Sequence, residues 1–204
     1  MLLLEWDGVL ADMPIWQRVM AALFHSVTCR TAGFNTINLA NLTNATLFVT
    51  ILLMIIGAGP CSTGGGFKVS AFVVLLQRGW FTFRGLQRVN VFRRHVSEGL
   101  INRTTATALL FAVVAGVALT LLLLIEQSQV SHIQSKGLFL EALFEVFSAL
   151  GTVGLSVGLT SLLTSAGKVI IIMLMFLGRL GPISVAVALS RNVREQPIEF
   201  PVEE

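Results

Sequence analysis

The order of apolar and polar positions along the chain predicts helices that cross a membrane. Two apolar runs, residues 105–125 and 168–189, reach the roughly 20 residues that a helix needs to span about 30 Å of hydrocarbon. A third run, residues 45–76, is too long for one straight span. Two amphipathic segments, residues 14–28 and 137–150, are too short to span. They fit re-entrant pore helices, although interfacial helices would give the same pattern.

The third apolar run is interrupted by residues 57–66, which include five glycines and one proline. Such a stretch cannot hold a regular helix, because glycine loses backbone entropy there and proline lacks an amide donor. At membrane depth, irregular backbone persists only where it is buried in protein or lines a water-filled cavity. We therefore expect a helix that is broken inside the membrane.

Charge supports a membrane protein and gives its orientation. Charged residues make up 12% of the chain, against roughly a quarter in soluble domains. Residues 78–103 hold six arginines and a single acid, Glu98, so this linker is predicted to be cytoplasmic. The C-terminal tail is then also cytoplasmic, both short helices enter from outside, and the location is the plasma membrane.

Nothing in the sequence indicates an enzyme. The three histidines and two cysteines are too far apart for a zinc site or a disulfide framework. Acidic residues are assigned to loops, and no serine or threonine has a nearby histidine and acid as partners. We expect no catalytic residues and no cofactor, and the basic residues are not expected to bind nucleic acid because they cluster between apolar runs.

An internal repeat divides the chain. Residues 23–60 can be laid on residues 143–182, and Thr31-Ala32-Gly33 meets Thr152-Val153-Gly154 at an offset of 121. Chance similarity between two apolar, glycine-containing segments is the alternative. Each unit is a short helix, a Thr-x-Gly loop and a long helix that ends near Gly-Pro. The cytoplasmic basic linker places the start of both repeats on the same side of the membrane, so the two repeats are predicted to be parallel.

The Thr-x-Gly loop has a use between a short helix and a spanning helix. Glycine takes positive φ, so successive carbonyls can point toward one axis and replace the hydration shell of a monovalent cation. The short helix directs its partly negative C-terminus toward the same place. An ordinary tight turn is the alternative.

Four motifs in order, RTAGFNT (30–36), GAGPCSTGGGFK (57–68), GTVGLS (151–156) and GRLGP (178–182), resemble the Trk/Ktr/HKT superfamily of potassium transporters. The likeness is nearest to the bacterial Ktr-type membrane subunit. The resemblance implies an all-α polytopic membrane protein with helix–pore loop–helix repeats, re-entrant pore helices and one broken transmembrane helix. Members have four such repeats around one pore.

The resemblance also implies a domain organisation. Residues 1–77 would form the third repeat without most of its first helix, 78–103 a cytoplasmic basic linker, 104–191 the fourth repeat, and 192–204 a cytoplasmic tail. Whether Met1 is the natural start is left open. The implied ion filter comprises Thr31, Ala32, Gly33, Phe34, Thr152, Val153, Gly154 and Leu155. The implied gate comprises Gly57, Gly59, Pro60, Ser62, Thr63, Gly64, Gly65, Gly66 and Arg179.

Arg179 is notable without any family, because a guanidinium that faces lipid at mid-membrane costs at least ~2.5 kcal/mol. It either faces the pore as a positive barrier or pairs with loop carbonyls, and the two are compatible.

The expected function is potassium uptake through a pore of which this chain holds about half. The expected ligand is K⁺ at filter carbonyls only, with Na⁺ as an optional coupling ion. A sodium-selective or mixed cation transporter is one alternative, and a truncated, non-conducting assembly subunit is another. The partners that the resemblance implies are membrane lipid, a second copy of the chain and a cytosolic nucleotide-binding regulatory subunit. The arginine run is either a topology signal or the docking surface for that subunit.

Overall fold

The computed structural model describes residues 1–57, 59, 64–84, 90–91, 94–95, 98–126 and 137–180. The helices are α1 (Ile15–Thr28), a 3-10 turn (Leu39–Asn41), α2 (Asn44–Ile55), α3 (Val69–Phe83), α4 (Glu98–Glu126), α5 (Leu138–Leu150), α6 (Leu159–Leu162) and α7 (Ser165–Leu180). The predicted helical fold is confirmed. A short antiparallel pair, β1 (Asn90–Val91) and β2 (Arg94–His95), lies between α3 and α4 and was not predicted.

The helix lengths agree with the hydrophobic pattern. The two short amphipathic segments are α1 and α5, each within one residue of its predicted bounds at both ends. The helix α4 has 29 residues, and within the described ranges it is the one helix long and apolar enough to cross a membrane. It begins seven residues before the predicted span. The predicted span 168–189 includes the described end of α7 at Leu180, and its last nine residues lie outside the described part of the chain.

The third apolar run is a broken helix, as predicted. The helix α2 ends at Ile55 and α3 begins at Val69. Between them, Ile56 and Phe67 form an isolated parallel bridge, and the Gly57 amide donates to the Phe67 carbonyl at 2.8 Å. The two arms of the break therefore meet at a neck. The glycine-rich loop leaves and re-enters the helical body at nearly the same place.

The pore helix α5 lies at the centre of the packing, in contact with α2, α4, α6 and α7. One apolar core joins α4, α5 and α7, and Phe111 and Phe147 meet in it with ring centroids 6.3 Å apart. A second core joins the two repeats, because Ile51 and Met54 of α2 pack with Phe144 and Leu155 of the second repeat. The repeats consequently form one packed body.

A carboxylate–threonine cap occurs in both repeats at the same offset of 121. Glu5 Oε1 accepts from the Thr43 amide and hydroxyl at 2.9 and 2.7 Å. Glu126 Oε1 accepts from the Thr164 amide and hydroxyl at 2.9 and 2.8 Å. Both threonines directly precede a long helix, whose first amides lack partners within the helix. The sequence repeat is therefore also a repeat of tertiary contacts.

Glu5 is fully buried and also accepts from Thr46 at 2.6 Å. Burial alone would raise the pKa of the Glu5 carboxyl, but the hydrogen bonds from Thr46 and Thr43 outweigh it and hold that pKa below its usual value. Glu5 is therefore ionised at neutral pH, as an acceptor-only group at the start of α2 should be.

Candidate ion filter and gate

The two Thr-x-Gly loops have the same unusual backbone. Thr31 and Gly33 have φ of 67° and 74°, and Thr152 and Gly154 have φ of 53° and 85°. Left-handed conformation is readily adopted by glycine but is an outlier for the β-branched threonine. Such strain costs about 1–3 kcal/mol and persists where the surroundings enforce it, often at functional sites. Its presence in both loops indicates a shared requirement on the backbone.

Hydrogen bonds from the loop to the pore helix turn the threonine carbonyls away from that helix. The Ala32 amide donates to the Thr28 carbonyl at 3.2 Å, and the Val153 amide donates to the Ser148 carbonyl at 2.9 Å. A peptide unit is planar and trans, so its N–H and C=O point in opposite directions. The carbonyls of Thr31 and Thr152 therefore face away from the helix, where they can bind a cation.

A pore-helix hydroxyl also holds the residue after each filter glycine. Thr28 Oγ1 donates to the Phe34 carbonyl at 2.6 Å and accepts from the Phe34 amide at 3.0 Å. Ser148 Oγ donates to the Leu155 carbonyl at 2.5 Å. The two hydroxyls match at an offset of 120, because the second Thr-x-Gly unit of this chain has one extra residue before its threonine. Sequence reasoning missed this pair, although a hydroxyl at the end of both pore helices was a usable signal.

The two loops lie against each other. A Cβ built at Gly33 would be 2.6 Å from the Val153 carbonyl oxygen, and a Cβ built at Gly154 would be 3.7 Å from Gly33 Cα. Gly33 is therefore required by close approach as well as by positive φ. The residues beside the two glycines differ in burial. Val153 and Leu155 are buried, whereas the Phe34 side chain is 72% exposed in this chain. All eight sequence-predicted filter positions thus belong to two neighbouring loops.

The glycine-rich loop reaches one of these filter loops. The Gly65 amide donates to Thr152 Oγ1 at 2.9 Å, across 87 positions of sequence. A Cβ at Gly66 would be 3.5 Å from Gly151 Cα, and a Cβ at Gly65 would be 3.0 Å from the Gly178 carbonyl oxygen. Gly64 and Gly65 are buried. This part of the loop therefore fits between the filter threonine and α7, and its glycines make the fit possible.

The remaining gate positions have different surroundings. Gly57 lies in the neck, where a Cβ would be 2.6 Å from the Gly65 carbonyl oxygen, whereas a Cβ at Gly59 would have no neighbour within 4 Å. Arg179 follows Gly178 in the last turn of α7 and its side chain is exposed in this chain. Arg179 therefore lies one residue from the contact with the loop. Pro60, Ser62 and Thr63 lie outside the described residues.

Polar side chains buried behind the loops were not predicted. Glu145 of α5 is 3% exposed, and its two carboxyl oxygens accept from the hydroxyls of Ser156 and Thr160. In the first of the two repeats of this chain, buried His25 is hydrogen bonded through Nε2 to Thr50 Oγ1 at 3.0 Å. The expectation that acids lie in loops is wrong for Glu145 and Glu141 of α5 and for Glu98 and Glu126 at the ends of α4. Neighbouring hydroxyls satisfy the Glu145 carboxyl inside the protein.

Comparison with known proteins identifies a family of transporters. The family model described as "TrkH: Cation transport protein" matches residues 1–197. The Ktr system potassium uptake protein B of Bacillus subtilis is 36% identical over 194 residues, which are 95% of this chain and 41% of that protein. The protein of the same name from Vibrio alginolyticus is 40% identical over 172 residues, 84% of this chain and 36% of that protein.

Two further similarities concern ion type and fold. The potassium/sodium uptake protein NtpJ of Enterococcus hirae is 35% identical over 205 residues, 99% of this chain and 44% of that protein. The solved structure of the potassium transporter TrkH from Vibrio parahaemolyticus superposes with a TM-score of 0.74 at 21% identity, over 92% of this chain and 40% of that one. The chain thus spans less than half the length of the curated relatives it matches.

Proposed function

This chain belongs to the TrkH family of cation transport proteins, and from this premise we propose that it forms part of a potassium-conducting pore in the plasma membrane. Its family is one of transporters and not of enzymes. The observation that carries the proposal is the matched left-handed backbone at Thr31 and Gly33 and at Thr152 and Gly154 in two loops that touch.

In the proposed mechanism, the loops supply carbonyl oxygens that replace the water around a potassium ion. The Thr31 and Thr152 carbonyls face away from the pore helices, which hold the amides of the next residues. The helices α1 and α5 end at Thr28 and Leu150, directly before the loops, so their partly negative C-termini favour a cation there. Two loops supply half of the ring that a filter with four repeats requires, and the rest would come from further repeats.

The glycine-rich loop and Arg179 would form a barrier beyond the filter. The loop is tied to the filter by the Gly65–Thr152 hydrogen bond and is in contact with α7 at Gly178. A cation that leaves the filter would meet this backbone and a nearby permanent positive charge, and both oppose its passage. Movement of the loop about its neck at Ile56 and Phe67 would open the path.

Mixed potassium and sodium transport is the second candidate. The E. hirae relative, 35% identical, is named a potassium/sodium uptake protein, and its similarity covers 99% of this chain. The same carbonyl chemistry serves both ions, so the choice between them must be measured.

The assembly is a further part of the proposal. The basic linker and the C-terminal tail would be cytoplasmic, and exposed Arg78 and Arg84 at the end of α3 would face that side. The chain would work as a homodimer with a cytosolic nucleotide-binding regulatory subunit, for which the basic linker offers a docking surface.

The test uses a hybrid transporter. In the B. subtilis potassium uptake protein B, the segment that matches this chain over 194 residues is replaced by this chain. The hybrid is expressed in bacteria that lack potassium uptake systems. We expect growth at low potassium and saturable rubidium uptake that sodium inhibits weakly. A hybrid carrying Gly154→Ser is the control, and its uptake should fall at unchanged abundance. Its side chain opposes the positive φ that the loop requires.

Three results would contradict the proposal in different ways. An abundant hybrid without uptake of either ion would support a non-conducting assembly role. Equal uptake of sodium and potassium would support the mixed transporter. Unchanged uptake and ion preference in Gly154→Ser would show that the loop with Thr152 and Gly154 is an ordinary turn.

A further inference from the structure

We infer that Glu145 is a positioning residue that sets ion discrimination by holding the segment that follows the fourth-repeat filter glycine. This inference rests on the proposed pore function and concerns the same filter. It assigns a role to a buried carboxyl group outside the Thr-x-Gly motif.

The carboxyl group of Glu145 ties two points of that segment to the pore helix. Its Oε1 accepts from the Ser156 hydroxyl, and its Oε2 accepts from the Thr160 hydroxyl at 2.5 Å. Ser156 comes two residues after Gly154, and its Oγ also accepts from the Gly158 amide at 3.0 Å. With the bond from Ser148 to Leu155, the chain from 155 to 160 has three side-chain hydrogen bonds to α5.

The third repeat lacks this arrangement. At an offset of 120, His25 takes the place of Glu145, but its ring bonds to Thr50 on α2. Asn35 takes the place of Ser156 at an offset of 121, and its amide donates to the nearby Ile37 carbonyl at 3.4 Å. Among the side-chain hydrogen bonds described, Thr28 alone connects α1 to the Thr31–Gly33 loop. The fourth loop is held through Ser148 and Glu145.

The position of the segment after Gly154 affects ion discrimination, because carbonyl oxygens discriminate ions by the size of the cavity they form and by the number and strength of their dipoles. Glu145 is 3% exposed, so its oxygens have no alternative contact with bulk water. If one hydroxyl of the half-buried Ser156 and Thr160 loses its acceptor, a polar group is left unsatisfied and the segment rearranges to find another partner. A shift at Ser156 moves the Leu155 carbonyl and, through it, the filter glycine.

The experiment uses the hybrid transporter with Glu145→Gln. Glutamine has the same shape but offers a single acceptor oxygen, so one hydroxyl loses its acceptor and faces an NH₂ group that only donates. We expect the half-saturating potassium concentration to rise roughly fivefold, the ratio that corresponds to one lost hydrogen bond. Inhibition by sodium should rise with it, while the maximal rate and the abundance change little. Glu141→Gln, one turn earlier on the same helix and partly exposed, is the matched control and should behave like the parent.

A second variant tests whether Glu145 acts through Ser156. Ser156→Ala removes one donor to the carboxyl and should shift ion preference in the same direction. If the two residues act as one unit, the double variant should show less than the product of the separate effects. Multiplicative effects, or unchanged half-saturation and sodium inhibition in Glu145→Gln, would overturn the inference. A parent hybrid without any uptake would instead refute the proposed function.

Discussion

Four residues with left-handed backbone, Thr31, Gly33, Thr152 and Gly154, connect local geometry to the proposed ion binding. Threonine has no intrinsic preference for this conformation, so the conformation must come from contacts. Those contacts are the amides of Ala32 and Val153, which close on the pore helices. The hydroxyls of Thr28 and Ser148 hold the residues that follow the glycines.

The two filter glycines differ in what they can tolerate. Alanine at either position adopts positive φ at a cost of roughly 1 kcal/mol or more. At Gly33 the new Cβ would also lie 2.6 Å from the Val153 carbonyl oxygen, whereas at Gly154 the nearest heavy atom, Gly33 Cα, would be 3.7 Å away. We predict that Gly33→Ala abolishes rubidium uptake by the hybrid and that Gly154→Ala only reduces it.

Gly116 supplies the control, because it lies in α4 with nothing within 4 Å of an added Cβ. Gly116→Ala should leave uptake unchanged. Uptake must be normalised to the amount of protein in the membrane. Equal losses at 33 and 154 would show that φ alone matters and that the contact between the loops does not.

At the scale of elements, the hydrophobic pattern and the Gly/Pro interruption were sufficient to place the helices. The amphipathic pattern gave the two short helices α1 and α5. The apolar length and its interruption gave the broken helix. The strands β1 and β2 and the short turns at 39–41 and 159–162 were missed. These elements are too short to produce a periodic signal.

The candidate site was predicted only in part, for a similar reason. The repeated Thr-x-Gly motif identified the loops through local sequence. The bonds from Glu145 to Ser156 and Thr160, and from Gly65 to Thr152, join residues 11 to 87 positions apart. No local pattern predicts which hydroxyl will meet which carboxyl or amide after folding. Glu145 was therefore grouped with the other acids.

The contact between the glycine-rich loop and the fourth filter loop gives a prediction about two elements. Thr152→Val removes the acceptor for the Gly65 amide while keeping the shape of the side chain. We predict that the maximal rate of rubidium uptake rises, because the loop loses a bond that holds it beneath the filter. The bond is worth about 1 kcal/mol, so the gain should be at most about fivefold.

Thr31→Val is the matched control, since Thr31 Oγ1 donates to its neighbour, the Arg30 carbonyl, at 2.6 Å. No contact with the glycine-rich loop is described for it. Uptake that rises in Thr152→Val alone would support a gate at this contact. Uptake that falls equally in both variants would mean that the two hydroxyls serve the filter.

For the whole molecule, the proposed parallel arrangement of the repeats implies which ends face the same side of the membrane. Exposed Ser161 lies between the second Thr-x-Gly loop and α7, and exposed Thr82 lies near the end of α3, within the basic linker. In a hybrid with Cys29 and Cys61 replaced by alanine, we predict that Ser161→Cys reacts with an impermeant thiol reagent in intact cells. Thr82→Cys should react only after the membrane is made permeable. The reverse pattern would refute the orientation of both pore loops.

The repeats differ by one residue, the extra position before Thr152. This difference shows that the two repeats can change independently by mutation. A channel built from identical subunits copies every mutation into all of its walls at once. In the proposed pore each wall would be encoded separately, so one codon change would alter one side of the ion path and leave the others intact. The repeats have already diverged in this way, with His25 behind one loop and Glu145 behind the other. Selection can therefore adjust the affinity of such a passage in smaller steps than symmetry would allow.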